Sequence, residues 1–169
     1  MPGLSDYVLT PDGGLVHRLA NIVGNVRVGQ GSRIDAFVTI TGDVVIGKYT
    51  HIGLNCSLLG GSGIRIGDYV GISPGVRIFS GTEDVSGEWV TNPTVPAHLR
   101  NPKTQMILIA DHAFIGANSV LLPGARFQEG SGLGAQSLCK SQLDPWATYA
   151  GSPAKFISSR TQGVRDKVS

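Results

Sequence analysis

A six-residue period runs through most of this chain, and it limits the fold more than any other feature. Each unit starts with a large apolar residue and carries a small one four places later. Leads run through Ile22, Val28, Ile34, Ile40, Ile46, Ile52, Leu58, Ile66 and Ile72, then resume at Ile109, Ile115, Leu121, Phe127 and Leu133. Fifth places hold Val26, Ser32, Val38, Val44, Thr50, Cys56, Ser62, Val70, Val76, Ala113, Ser119, Ala125, Ser131 and Ser137. A helix repeats near 3.6 residues and an ordinary strand alternates with period two, so neither yields this pattern. A short strand followed by a corner does. The lead fills a narrow interior, the fifth residue sits inside the corner, and three such sides close an eighteen-residue triangular coil. Stacked coils pair as parallel strands about 4.8 Å apart, and Ile and Val suit such layers because their branched side chains favour extended backbone. The predicted fold is an all-β parallel β-helix of about five coils.

The period breaks twice. The unit from Leu58 to Arg65 holds eight residues and a Gly60-Gly61-Ser62-Gly63 run, which predicts a bulged corner. From Phe79 to Leu108 the repeat is missing, and this stretch carries Glu83, Asp84, Glu88, Trp89, Asn92, His98 and Arg100. A loop of that length in a small domain points to function. Residues 1–169 therefore read as one domain, with 1–20 capping one end of the stack, 79–108 extruded, and 145–169 capping the other end. The stretch from Ala154 to Val168 is expected to include a short helix.

Composition removes several classes. The formal net charge is +2, and the basic residues form no stripe, so a nucleic-acid partner is not expected. No apolar run has the length of a membrane span and no leader pattern is present, which makes the cytoplasm the expected compartment. Cys56 fills a fifth place and Cys139 opens what would be the next unit, so both read as buried thiols. The four histidines, His17, His51, His98 and His112, contain no close pair of the kind a zinc-dependent carbonic anhydrase on such a scaffold needs, and no metal is expected.

These repeats, the loop after Ile78 and the closing Ala150-Gly151-Ser152-Pro153-Ala154-Lys155 together resemble the hexapeptide-repeat acyltransferases, over about residues 22–157. The sugar acetyltransferases are the most similar branch, both the galactoside and maltose type and the enzymes acting on nucleotide-linked amino sugars. The resemblance implies a left-handed coil, a homotrimer, acetyl-CoA as donor, a sugar or nucleotide-sugar acceptor, and sites between subunits. In the galactoside type the base is a histidine just beyond the strand entering the loop. Gapless matching through Ile66-Gly67-Asp68 and Ser73-Pro74 puts Glu83 there instead, followed by Asp84. His51 falls where that branch has a tyrosine touching the acceptor. The same matching puts coenzyme A against Phe114, Ala117 and Ala135, with Lys155 and Lys140 balancing its phosphates.

Acetyl transfer needs a base for the acceptor, a donor for the carbonyl oxygen and close placement of the reactants. Glu83, His51 and Asp84 are the candidate catalytic groups, and Trp89, Asn92 and Arg100 the candidate acceptor contacts. For Glu83, Asp84 and His51 the plain alternative is solvated surface, and for Ala117 and Ala135 it is corner geometry. His112 reads as structural and His17 as part of the cap. His51 and Glu83 are thirty-two positions apart, or thirty without the two extra bulge residues, which is one coil and two thirds. They therefore start on different faces of one prism and converge only across a neighbouring copy. Transfer of an acetyl group to a hydroxyl or amino group of a sugar, with surface polysaccharide as its destination, is the expected activity. The alternative is a non-catalytic trimeric scaffold that binds sugar or coenzyme A.

Overall fold

The structure is a computed structural model that describes residues 4–168. The first three residues of the expected N-terminal cap, and Ser169, lie outside the described residues. The chain winds as a three-walled prism of stacked parallel strands. Wall one is built from Leu15–His17, Arg33–Ile34, His51–Ile52, Gly71–Ile72, Phe114–Ile115, Gly132–Leu133 and Ala147–Ala150. Three long strands, Asn21–Val28, Thr39–Ile46 and Ser57–Ile66, run along wall two and turn into wall three; the first two pair throughout, and the register of the second and third shifts at the turn, between Gly42 and Val44. Higher up the walls separate. Wall two continues as Arg77–Phe79, Val120–Leu121 and Leu138–Cys139, and wall three as Ile107–Ile109, Arg126–Phe127 and Gln142–Leu143.

Every lead from Val28 to Leu133 is buried, and most are fully so, whereas Ile22 in the outermost coil is half-buried. From Ser32 on the fifth places are buried too, Ser62 excepted, and hydroxyls among them tie one coil to the next. Ser32 Oγ donates to the carbonyl of Gly47 at 2.7 Å and accepts the Thr50 amide at 2.7 Å. Thr50 Oγ1 repeats this with Gly67 and Val70, and Ser119 with Gly134 and Ser137. A small polar residue therefore fits a dry corner because its one hydroxyl both donates to and accepts from the next turn.

The place just before the fifth carries a further regularity that the repeat alone did not reveal. Phe37, Tyr49, Asn55, Tyr69, His112, Asn118, Gln136 and Trp146 all have φ between 52° and 59°. That left-handed backbone costs a non-glycine residue about 1–2 kcal/mol. Where walls three and one meet, ring stacking offsets part of this cost. Tyr49 stacks on Tyr69 (5.3 Å between centroids) and Tyr69 on His112 (5.2 Å), with Trp146 beyond at 6.1 Å.

One expectation needs correction, and another is met only at the end of the tail. The corner slot after Leu58 is filled by Ile64, fully buried and paired with Val44, and not by Ser62. Ser62 is pushed outward by the bulge, and its amide bonds Ser80 Oγ. The tail is mostly strand. Lys155–Ser159 pairs antiparallel with Ala147–Ala150, and helix is confined to Arg165–Val168. Its exposed edge partner explains the choice, because Ala147–Ala150 would otherwise end wall one with unpaired backbone. At the other end Tyr7–Leu9 pairs antiparallel with Leu15–His17 and closes the edge likewise.

The irregularities share one corner, between walls two and three. Ile40 and Val44 are four positions apart (44 − 40), the stacked pair Leu58 and Ile64 six (64 − 58), and the next pair, Ile78 and Ile107, twenty-nine (107 − 78). The long loop is thus an insertion within one unit. Its root is a two-stranded ribbon, Gly81–Thr82 against Lys103–Thr104, and the Gln105 amide bonds the Ser80 carbonyl at 2.9 Å. Below it Gly42 has φ +87° and a Cβ there would lie 2.4 Å from the Gly60 carbonyl oxygen, so the coils approach too closely for any side chain.

Candidate active site

The loop folds back over the outer surface of wall two and encloses a cavity of about 760 Å³, larger than the others described. Leu59 and Phe79 form its floor, Thr82 and Glu83 one side, Pro93 and Arg100 the other. Glu83 and Arg100 are clamped together: Arg100 Nε donates to Oε2 at 3.2 Å, and its terminal nitrogen pairs with Oε1. Both side chains are 22% exposed. The carboxylate keeps lone pairs beyond those the guanidinium uses, so it can still accept a proton from a group entering the cavity.

Asp84 faces the other way, into the loop root. It is buried, accepts the Ser86 amide at 2.7 Å, lies 3.4 Å from Asn101 Nδ2 and 3.8 Å from Lys103 Nζ, while its carbonyl takes the Thr91 hydroxyl. The Ser86 hydrogen bonds hold its carboxyl below the ordinary carboxylate value. Asp84 thus organises the loop that carries Glu83. Trp89 and Asn92 stand exposed beyond the cavity lining, and Asn92 Oδ1 is occupied by the amide and hydroxyl of Thr94.

His51 lies on wall one, far around the prism from the loop root, as the coil count requires. Its Nε2 is 2.8 Å from Asp35 Oδ2. Asp35 Oδ1 accepts the Tyr7 hydroxyl at 2.9 Å and Arg33 Nε at 2.9 Å. Burial alone would raise the Asp35 carboxyl, but the hydrogen bonds from His51 and Tyr7 outweigh it and hold the group low. Tyr7 is pushed up by burial and by that same bond. Sequence reasoning found His51 and missed Asp35, Arg33 and Tyr7. The signal was there: Asp35 occupies a second place that elsewhere on wall one is Gly53, Ser73, Gly116 or Gly134, and lies sixteen positions from His51 (51 − 35), two short of a full coil.

The expected coenzyme contacts divide. Ala117 and Ala135 sit on consecutive coils at the corner of walls one and two, joined by the bond from the Gln136 amide to the Ala117 carbonyl. The tail stacks on the same corner, through Gly151 N to Ser137 Oγ and Ala154 N to the Leu138 carbonyl, and Lys155 pairs with Ala150. Phe114 stands half-exposed on wall one, and Lys140 is exposed after the last wall-two strand. His112 is held in the ring stack, His17 is buried edge-on against Tyr7, and His98 is exposed in the loop.

Comparison with known proteins agrees with this architecture. Residues 25–60 match the family described as bacterial transferase hexapeptide (six repeats). The chain is 35% identical over 141 residues to a dTDP-4-amino-4,6-dideoxy-D-glucose acyltransferase from Escherichia coli, covering 82% of this chain and 73% of that protein. Among solved structures it is similar to an alanine variant of AntD, an N-acyltransferase from Bacillus cereus, in complex with dTDP-4-amino-4,6-dideoxyglucose and coenzyme A. The TM-score is 0.89 at 33% identity, covering 92% of this chain and 85% of that one. A second AntD structure, with dTDP and 3-hydroxybutyryl-CoA, has a TM-score of 0.85 at 30% identity and covers 96% and 88%. The prism is a left-handed parallel β-helix, and the chain belongs to the hexapeptide-repeat sugar acyltransferases.

Proposed function

We propose that this protein transfers an acyl group from acyl-CoA to the amino group of a dTDP-linked 4-amino-4,6-dideoxyhexose. The observation that carries this reading is the agreement of two relatives, one from Escherichia coli and one from Bacillus cereus, on the same sugar nucleotide. An amino sugar also suits a cavity whose acidic group is Glu83, because a carboxylate attracts the ammonium form and then accepts its proton. The freed nitrogen attacks the thioester carbonyl, the carbon–sulfur bond breaks, and the departing thiolate takes up a proton. Acetyl-CoA is the smallest donor this reading covers, and the relative AntD in complex with 3-hydroxybutyryl-CoA supports a longer one.

The acting unit is a homotrimer with three sites in its seams. Glu83 belongs to the loop over wall two and His51 to wall one, so one prism cannot offer both to a single substrate. A neighbour related by a threefold axis brings the second wall to the first loop. In that seam Glu83 and His51 handle protons, Arg100 holds Glu83 in place, and Asp84 sets the loop. Trp89 and Asn92 are free to touch the neighbour or the acceptor. Phe114, Ala117, Ala135, Lys140 and Lys155 form the donor side. The reaction belongs to the cytoplasm, with surface polysaccharide as the destination of the sugar.

Thiol release from acetyl-CoA and from 3-hydroxybutyryl-CoA, measured with dTDP-4-amino-4,6-dideoxyglucose, dTDP-glucose and free amino sugars, tests the reading. Release with the first acceptor alone, and a product heavier by one acyl group, is expected. Equal rates with dTDP-glucose would rule out the amine as the acceptor.

A further inference from the structure

Wall one carries an arrangement around His51 that the acyl-transfer reading has not yet used. Reading up its outward row, paired strands present Arg33, His51, Gly71, Phe114 and Gly132 in adjacent positions. The parallel row two places on reads Asp35, Gly53, Ser73, Gly116 and Gly134. Asp35 is therefore the one large side chain in its row, and Gly53 beside it leaves the diagonal from Asp35 to His51 open. The imidazole leans along that diagonal, which brings Nε2 within 2.8 Å of Oδ2. Past His51 the row carries no side chain at Gly71, and the Phe114 ring from the next coil leans over that place, 3.4 Å from where a Gly71 Cβ would stand.

Two contacts at Nε2 bear on the tautomer of His51, and in a neutral ring they exclude each other. A carboxylate oxygen can only accept, so the 2.8 Å contact requires a proton on Nε2. Arg33 also lies 2.9 Å from Nε2, but a guanidinium only donates and cannot bond a nitrogen that already carries hydrogen. Its productive contact is Nε to Asp35 Oδ1. In neutral His51 the proton on Nε2 leaves Nδ1 with the lone pair. Tyr7, from the N-terminal cap, and Arg33 together fill Oδ1 and fix the carboxylate plane. The Asp35 side chain is 16% exposed and that of His51 is 45% exposed, so the orienting group is sheltered and the oriented one is reachable.

We propose that Asp35 is a positioning residue for His51: it takes the Nε2 proton in a hydrogen bond and so keeps Nδ1 as the proton-accepting nitrogen. The proposal rests on the acyl-transfer reading given above. As the acceptor nitrogen forms its bond to the thioester carbon, its proton passes to Nδ1. The carbon–sulfur bond then breaks, and the imidazolium returns the proton to the coenzyme A sulfur. Atoms and charge balance without any further reactant. Asp35 remains a carboxylate throughout and stabilises the imidazolium between the two transfers.

Two measurements on the full-length protein decide this. Nitrogen-15 NMR of the imidazole at neutral pH should show the Nε2–H tautomer of His51 in the unaltered protein and a mixed population in Asp35→Ala. With the amino sugar nucleotide as acceptor, Asp35→Ala and Asp35→Asn should lower kcat about tenfold to a hundredfold, with KM within about twofold, and Asp35→Glu should recover part of the loss. An Nδ1–H tautomer in the unaltered protein overturns the proposal, whether or not any variant folds. So does an Asp35→Asn enzyme that keeps its kcat. If the unaltered protein releases no thiol with any acceptor, the acyl-transfer reading fails, and any role of Asp35 in it fails too. Turnover that is indifferent to Asp35 overturns only the positioning role.

Discussion

Ile107 is the parallel-strand neighbour of Ile64, although forty-three positions separate them (107 − 64). The whole extruded loop enters and leaves between Ser80 and Gln105, which are bonded to each other through their backbones. The coil above and the coil below are continuous across that gap.

Removal of residues 81–104 and their replacement by two glycines should therefore leave the prism folded. Loop length enters stability only logarithmically, so the change should stay within about 1 kcal/mol. Circular dichroism should keep its β signature, and urea unfolding should keep its midpoint. Thiol release should vanish, because Glu83 and Arg100 go with the loop. A protein that no longer folds would show that the loop supports the coil.

Glu83→Gln keeps the shape of the side chain and removes its charge. It should lower kcat/KM for the amino sugar nucleotide about a hundredfold to a thousandfold. Arg100→Ala should act in the same direction by about tenfold, because it frees a clamped carboxylate. Steady-state thiol release with both variants checks this, and an unchanged rate in Glu83→Gln would remove that residue from the chemistry.

The stacked interior has a definite energetic scale. Ile52 is fully buried and sits between Ile34 and Ile72 on wall one. Ile52→Ala should cost about 2–5 kcal/mol, because a narrow prism cannot collapse around the gap. Equilibrium urea unfolding gives the number directly.

The left-handed corners offer a test with opposite signs at one site. Asn55 has φ 59°. Asn55→Gly should leave stability unchanged or raise it slightly, while Asn55→Val should lower it by about 1–2 kcal/mol. Thermal melts of the two variants separate backbone strain from side-chain contact.

Asp35 predicts how the N-terminal cap responds to acid. Its carboxyl is held below the unfolded value, near 3.9. A depressed folded pKa contributes stability that is fully present above the unfolded value and is lost as pH falls through the folded one. The bond to Tyr7 should accordingly weaken below about pH 4, and amide exchange at Tyr7–Leu9 should speed up there. Asp35→Asn should flatten that dependence. Exchange at these amides that ignores pH would show that the cap is held by other contacts.

Much of this was legible in the chain, and the failures have physical causes. A lead such as Ile46 or Leu121 announces its wall because only large apolar groups fill the interior. The bulge hid Ile64, since two added residues move the next inward side chain by one alternation and leave Ser62 in the place that counting assigns. The tail was legible in part: the short helix stands at Arg165–Val168, whereas an unfinished sheet edge captured Lys155–Ser159. Glu83 stood out by its place in the loop. Asp35 did not, because its importance lies in a diagonal between coils, and only the wound structure turns sixteen positions into 2.8 Å. Left-handed corners at Tyr49, Tyr69 and His112 give no compositional sign beyond the rings themselves.

The edge where the spacing grows from four to six to twenty-nine positions behaves as a socket. Extra chain added there leaves the stacked coils untouched, since Leu121 and Ala125 resume the short spacing directly above. Segments of other lengths can be plugged into the same edge while the prism is left as it stands.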